Sequence, residues 1–160
     1  MRFTQLLRLF AGMALVATVA ACGDEEPMMA MENAMTPAPC VVDPGDFALN
    51  SETMSKTGLY AVRIVDAMPA PPRKNVNLWT VEFVKPGGGV VQDATIDKVE
   101  PFMPAHGHNG IYDPVITPMD NGQFEVDVIN LWMGGGWQVK FDVTVDGQSD
   151  QTVVEVCVPG

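Results

Sequence analysis

Both histidines of the chain, His106 and His108, lie in the stretch MPAHGH that begins at Met103. Neutral imidazole and thioether sulfur are both good ligands for Cu(I), and imidazole also binds Cu(II) and Zn²⁺. The proline and glycine between these side chains bend the backbone, so ligands two to five residues apart can point to one centre. The stretch therefore predicts part of a metal site, with Met103, His106 and His108 as ligands and copper as the metal.

Three ligands do not complete such a site, and Met133 or Met119 on a neighbouring segment is the predicted source of another. The alternative interpretation is a structural turn. Its histidines would hydrogen-bond to backbone carbonyls and fix the crossing between two sheets, while Met103 and Met133 would fill gaps in the core. Trp132 and Trp137 are assigned to the core rather than to a site.

No catalytic constellation accompanies the two histidines. Ser51, Ser55 and Ser149 occur in no nucleophile-elbow motif and have no histidine near them in sequence. The glycine runs at 87–89 and 134–136 lack the spacing, the lysine and the following helix of nucleotide-binding loops. We expect that the protein is not an enzyme and, copper apart, uses no cofactor.

The first 21 residues have the features of an export signal. Arg2 and Arg8 form a basic head, and an uncharged apolar run extends from Leu9 to Val19. This run is too short to span a bilayer as a mature helix, and it ends in small residues before Cys22, which is a cleavage pattern. The segment resembles a bacterial lipobox, which implies a lipoprotein signal peptide over residues 1–21 and a lipidated Cys22. The alternative is a plain secretory signal with cleavage nearby.

The residue that follows Cys22 bears on the location of the protein. It is Gly23 and not an aspartate. By resemblance to enterobacterial lipoprotein sorting, a glycine here favours the outer membrane over the inner one. We therefore expect a lipid-anchored protein of the cell envelope, at the periplasmic face or the cell surface.

The charge balance restricts the partners. The chain has twenty acidic and nine basic residues, for a net charge of −11, and two of the basic residues lie in the predicted signal peptide. An acidic surface argues against nucleic acid and anionic lipid as partners. The expected partners are the membrane through the lipid anchor, a copper ion, and another envelope protein.

Two cysteines remain after Cys22, namely Cys40 and Cys157. Disulfides persist in exported proteins, and an even number of cysteines favours pairing. The flanking valines are typical of strands, so we predict a structural Cys40–Cys157 disulfide. The alternative is a pair of reactive or metal-binding thiols.

Residues 22–39 between the lipidated cysteine and Cys40 have the composition of a disordered, acidic tether. They contain four acidic residues and no branched aliphatic or aromatic residue, and so cannot bury a helix or strand face. The tether also holds four methionines, at positions 28, 29, 31 and 35. Their soft thioethers suit Cu(I), so the cluster could collect copper; the alternative is an ordinary Ala/Met/Pro linker.

The remainder, residues 40–160, is predicted to be one all-β domain, an immunoglobulin-like antiparallel β-sandwich of about seven strands. Short runs of β-branched and aromatic residues alternate with Gly, Pro, Asn and Asp, and no long amphipathic helix period occurs. Connections of two to ten residues suit antiparallel pairing. The predicted strands span residues 58–67, 75–84, 95–102, 114–118, 123–132, 137–145 and 151–158.

Alternation along three of these strands predicts the residues that face the core. In the clearest case the odd-numbered residues from Trp137 to Val145 are apolar and the even-numbered ones polar. The other two predicted inner sets are Phe124, Val126 and Val128, and Leu78, Trp79, Val81 and Phe83. Two sheets packed face to face would bury all three sets.

The second half of the chain, about residues 75–158, resembles the YtkA-like (FixH-related) family of exported β-sandwich domains. The marks of the resemblance are the stretches NLWTVEF, VEPFMPAHGH, NGQFEVDV and LWMGGGWQVKFDV. The family's Met-to-Trp turn corresponds to MGGGW, residues 133–137, in this chain, which contains one glycine more than the family pattern. The resemblance implies a cell-envelope domain linked to copper handling or oxidase assembly, without an established enzyme activity. Carried over residue by residue, it implies Met103, His106, His108 and Met133 as metal ligands; the alternative is a non-metal structural or protein-interaction module in which the same loop is a scaffold corner.

Overall fold

Nine β-strands in two antiparallel sheets make up the part of the protein that the structure, a computed structural model, describes, namely Cys40 and residues 46–160. The chain divides into two units, Met1–Ala34 and Met35–Gly160, and every described residue belongs to the second. The strands are β1 (Glu52–Met54), β2 (Ala61–Met68), β3 (Asn75–Val84), β4 (Thr95–Met103), β5 (His108–Asn109), β6 (Val115–Pro118), β7 (Gln123–Leu131), β8 (Gly135–Val145) and β9 (Gln148–Val158).

The two sheets confirm the predicted all-β sandwich. One has the strand order β1-β2-β3-β7-β6 and the other β5-β4-β8-β9. The bounds of β3 agree with the prediction, and most other predicted ends differ by one to three residues. Two short strands, β1 and β5, were not predicted, because strands of two or three residues are too short to show an alternation.

The core lies between the inner faces of the two sheets. All five odd-numbered residues from Trp137 to Val145 are buried there, as the alternation predicts, and so are Trp79, Val81 and Phe83 of β3. Aromatic rings meet across the interior: the rings of Trp79 and Phe141 stack with centroids 6.5 Å apart. Burial of these large apolar faces is what holds the sheets together.

Two predicted core residues, Val128 and Leu78, do not face the core in full. Val126 and Ile129 of β7 pair with Trp79 and Asn77 of β3, so the two residues between them oppose Leu78 alone. This β-bulge places Val128 at φ 59° and leaves it half-buried. The inner face of β7 therefore shifts from Phe124 and Val126 to Ile129 and Leu131, and Leu78 points to the outer side.

A disulfide joins Cys40 to Cys157 with their Cα atoms 5.3 Å apart. It ties the start of the domain to β9, the edge strand of the second sheet. The predicted signal peptide 1–21, the lipidation site Cys22 and the tether 22–39 lie outside the described residues. Within the described residues, the structure contains no helix of the length and apolarity that a membrane crossing requires.

Hydrogen bonds to Asp150 attach the turn between β1 and β2 to β9. The Thr57 backbone N–H donates to Asp150 Oδ2 over 2.9 Å and the Thr57 hydroxyl over 2.6 Å. Burial by itself raises the pKa of the Asp150 carboxyl, but these bonds and one from Ser55 outweigh it and hold that pKa well below its usual value. The Tyr60 hydroxyl donates to the Asp150 carbonyl over 2.9 Å, and burial raises the Tyr60 pKa to about 12.

This arrangement predicts an acid-sensitive contribution to stability. A carboxyl with a lowered pKa in the folded protein stabilises it above the unfolded pKa of about 3.9, and the contribution is lost as the pH falls below that value. We expect Asp150→Asn to lower the free energy of unfolding at neutral pH by about 1 kcal/mol and to flatten its decline below about pH 4. Urea unfolding across that pH range measures both effects, with Asp93→Asn as an exposed control. An equal acid response in the Asp150 variant and the parent would contradict the prediction.

Candidate functional site

The predicted histidine loop is a tight hairpin between β4 and β5. The Met103 carbonyl accepts hydrogen bonds from the backbone N–H groups of His106 (3.2 Å) and Gly107 (2.9 Å). Gly107 has φ 65°, a conformation that glycine adopts without strain. Met103 and His108 are opposed in the β4–β5 pair, and opposed residues of antiparallel strands project their side chains to the same face. The hairpin therefore places one thioether and one imidazole side by side.

The imidazole rings lie against two tryptophans. The His108 ring stacks on Trp132 with centroids 4.7 Å apart and planes inclined by 28°. The centroid of the His108 ring lies 5.7 Å from that of the Trp137 ring, with the planes inclined by 60°. The His106 ring stacks on the His108 ring with centroids 5.7 Å apart and planes inclined by 19°. We call these four residues, His106, His108, Trp132 and Trp137, the His–Trp corner.

The Asn109 carbonyl orients two of these rings. His108 Nδ1 lies 3.2 Å from this oxygen, and Trp132 Nε1–H donates to it over 3.4 Å. A carbonyl oxygen only accepts hydrogen bonds, so a hydrogen bond at this contact places the proton on His108 Nδ1, and the neutral ring then has its lone pair on Nε2. The hydrogen bond thus selects the tautomer in which Nε2 is available as a ligand.

His108 Nε2 is buried and has no hydrogen-bond partner among the described residues. A buried acceptor without a partner costs about 1–3 kcal/mol. Histidines that bind metal ions characteristically donate their other ring N–H to a carbonyl oxygen, which leaves the second nitrogen free for the metal. The state of His108 matches that pattern, so the residues present fit a metal ion at Nε2.

The two candidate thioethers differ in exposure. Met103 is fully buried within the core, on the face that it shares with His108. Met133 is half-buried against the core, and its carbonyl accepts the Trp137 Nε1–H bond over 3.0 Å. This bond joins the Met133 backbone to a ring of the His–Trp corner. Both positions agree with the predicted ligand set and also with the alternative in which the methionines fill the core.

Met119, the other methionine considered as a ligand, lies elsewhere. It bonds through its backbone to Gln123 at the start of β7, whereas Trp132 and Met133 follow Leu131 at the end of that strand. Eight residues of strand span about 26 Å. Met119 is therefore excluded from the His–Trp corner.

The potential metal donors within the His–Trp corner are the imidazoles of His106 and His108. In the described part of the chain, no three His, Cys, Asp or Glu side chains cluster in a way that could hold a metal ion. The His106 and His108 rings are nearly parallel, so their nitrogens do not point at each other. His106 is exposed, and its side chain must rotate before both imidazoles can share one ion.

Sequence reasoning missed the roles of Asn109 and Trp132 beside the histidines. Asn109 acts through its backbone carbonyl, which carries no residue-specific signal. The half-buried Trp132 was assigned to the core, although its place directly before Met133 was a signal of proximity to the proposed ligands. Trp132 follows β7 in one sheet and His108 lies on β5 in the other, so the packing of the two sheets brings them together, and that packing is a tertiary property.

The turn after Trp132 is closed by the end of the chain. A Cβ atom at Gly134 would lie 2.7 Å from the Gly160 Cα and 3.2 Å from the Pro159 carbonyl oxygen. Only glycine permits so close a backbone approach. The C-terminal residues and the Met133–Trp137 turn thus occupy the same end of the sandwich.

Residues 64–142 match the family model described as YtkA-like. The matched range runs from β2 into β8 and includes the β4–β5 hairpin, Trp132 and the Met133–Trp137 turn. No curated protein and no solved structure matches the chain significantly.

Proposed function

Because the chain carries a YtkA-like domain over residues 64–142, we propose that it is a cell-envelope module that binds Cu(I) at the His–Trp corner. The family match supports a cell-envelope domain. The observation that supports the metal is the buried Nε2 of His108, which has no partner among the described residues while Nδ1 is bonded to a carbonyl. The role is binding or carriage of the ion rather than catalysis.

Cu(I) suits this donor set better than harder ions do. It binds imidazole and thioether, whereas Mg²⁺, Ca²⁺ and Mn²⁺ prefer carboxylate and carbonyl oxygens. His108 Nε2 would be the first ligand, with Met103 on the same face. Met133 and the exposed His106 would complete the set.

The location follows from the start of the chain. We propose that Cys22 is lipidated and that the lipid anchors the domain to a membrane of the envelope, the outer one by the Gly23 argument. The features that support this are the basic head, the short apolar run and the small residues before Cys22. The intact mass of the mature protein is the direct check, since acylation adds the mass of the lipid.

The metal proposal is tested by competition titration with a Cu(I) chelator in the absence of oxygen. We expect His106→Ala/His108→Ala to bind Cu(I) at least about 100-fold more weakly than the parent, since both imidazoles are removed. Of the two single variants, His108→Ala should bind Cu(I) more weakly than His106→Ala, because only the His108 ring has its tautomer selected by a hydrogen bond. Met68→Ala, which removes a thioether exposed by 70%, is the control and should bind like the parent. Parental affinity in the double variant would exclude the proposed site.

A second candidate function, a structural or protein-interaction module without metal, is favoured by the stacking of His108 on Trp132. The His108→Phe variant distinguishes the two candidate functions, because phenylalanine keeps an aromatic ring on Trp132 but has no Nε2. The metal-binding proposal expects this variant to fold like the parent and to lose Cu(I) binding. It also expects Cu(I) to raise the melting temperature of the parent, because a ligand that binds only the folded state stabilises it. An unchanged melting temperature with Cu(I) would favour the structural module.

A further inference from the structure

The indole of Trp132 lies closer to the His108 ring than the other two rings of the His–Trp corner do, with centroids 4.7 Å apart. We propose that the π face of Trp132 contacts the Cu(I) ion held at His108 Nε2 and stabilises its charge by a cation–π interaction. The inference rests on the proposed function and adds to the site a group that is not a conventional metal ligand.

A shared hydrogen-bond acceptor aligns the two rings. The Asn109 carbonyl oxygen lies 3.2 Å from His108 Nδ1 and 3.4 Å from Trp132 Nε1. One carbon separates Nδ1 from Nε2 in an imidazole, so Nε2 lies on the side of the ring away from this oxygen. The body of the indole also extends away from the oxygen, because Nε1 is at its edge. Nε2 and the body of the indole therefore lie on the same side of the shared acceptor.

The angle between the rings sets how an ion at Nε2 meets the indole. The lone pair of Nε2 lies in the plane of the imidazole, and the planes of the imidazole and the Trp132 indole are inclined by only 28°. This near-parallel stack presents the face of the indole to the ion, and cation–π contacts form within about 6 Å of a ring centroid. The Trp137 ring is inclined to the imidazole by 60°. Trp132 is therefore the tryptophan whose face is turned to the ion.

The charge of the ion gives the indole its role. All four proposed ligands, the imidazoles of His106 and His108 and the thioethers of Met103 and Met133, are neutral, so they leave the positive charge of Cu(I) uncompensated. A charge that leaves water costs free energy unless another group offsets it, and Nε2 is buried. Tryptophan attracts cations more strongly than the other aromatic side chains do, and the attraction grows when the cation is desolvated. The half-buried Trp132 meets both conditions.

Fluorinated tryptophan tests the proposal with little change in the shape of the side chain. Fluorine withdraws electrons from the face of the indole and so weakens its attraction for a cation. The full chain is prepared with ordinary, monofluorinated and tetrafluorinated tryptophan, and Cu(I) affinity is measured by chelator competition in the absence of oxygen. We expect the affinity to fall as fluorines are added, by about three- to tenfold in total.

Two variants separate Trp132 from the other two tryptophans, which are fluorinated at the same time. In Trp132→Phe the affinity should no longer depend on fluorination, because the labelled Trp79 and Trp137 remain. In Trp79→Phe, the matched control, the dependence should be that of the parent. Trp132→Tyr replaces Trp132→Phe in this comparison if the phenylalanine variant does not fold.

The fluorine label also supplies a readout that a merely structural role would not move. The chain has three tryptophans, and the fluorine NMR resonance that is missing in Trp132→Phe belongs to Trp132. Cu(I) should shift this resonance most and the Trp79 resonance least, since the Trp79 ring packs against Phe47 and Phe141 in the core.

Each result decides between the inference and the function on which it rests. Affinity that is independent of fluorination in the parent overturns the inference, while the function stands if His106→Ala/His108→Ala still loses binding. An equal fluorination effect in the parent and in Trp132→Phe also overturns it, since the effect would then come from another tryptophan. A parent that binds no Cu(I) overturns the proposed function and the inference together.

Discussion

Replacement of Trp137 with alanine is expected to lower the free energy of unfolding by about 3–5 kcal/mol, which is the usual cost of removing a buried aromatic side chain. Trp137 is fully buried in β8, within the core between the sheets. Its Nε1–H donates to the Met133 carbonyl, and its ring lies beside His108. Denaturant unfolding measures the loss of stability.

The same position should affect the metal, because Trp137 holds the Met133 turn and borders the His108 ring. We expect Trp137→Phe, which keeps a ring and most of the packing, to bind Cu(I) more weakly than the parent. Trp79 offers a matched control, since it is also fully buried and its Nε1 has no hydrogen-bond partner among the described residues.

The paired phenylalanine variants isolate the hydrogen bond. Trp137→Phe should cost about 1 kcal/mol more stability than Trp79→Phe, because only Trp137 loses a bond and leaves a carbonyl unpaired. Trp79→Phe should retain the Cu(I) affinity of the parent. If both variants lost affinity equally, the effect would come from general loosening of the core and not from the corner.

Removal of the disulfide by Cys40→Ala/Cys157→Ala is the other prediction with a large effect. The two cysteines are 117 residues apart, and a crosslink over such a loop stabilises by about 5 kcal/mol in the chain-entropy model. We expect the variant to unfold at a lower urea concentration, and we expect a reductant to have the same effect on the parent. The reductant should leave the variant unchanged, which is the internal control. An unfolding midpoint of the double variant equal to that of the parent would contradict this stabilising role.

Local pattern was enough to predict the main strands. The alternation from Trp137 to Val145 predicted which side chains are buried, because a strand has a period of two and one face is apolar. The same argument failed at Val128, where a bulge in β7 reverses the phase. A bulge depends on the pairing partner, Leu78 of β3, which the sequence of β7 does not contain.

In the histidine hairpin, too, some features follow from the local sequence and others depend on residues that are distant in the chain. The sequence by itself determined that imidazole and thioether occur together at a proline and glycine bend, because spacing and residue type are local properties. The sequence also predicted the Cys40–Cys157 disulfide that the structure contains, because the valines that flank both cysteines favour a structural bridge.

Only the tertiary structure decided what surrounds those ligands. Strand pairing within one sheet brings Trp137 near His108, and packing against the other sheet brings Trp132. The fold also places Met119 elsewhere and sets the Asn109 carbonyl against His108 Nδ1. These contacts join residues up to about thirty positions apart in the chain, such as His108 and Trp137. The sequence thus determined which donors are available, and the packing of β4, β5, β7 and β8 decided which of them is buried with an unused lone pair, because burial and hydrogen bonding depend on neighbours that are distant in sequence.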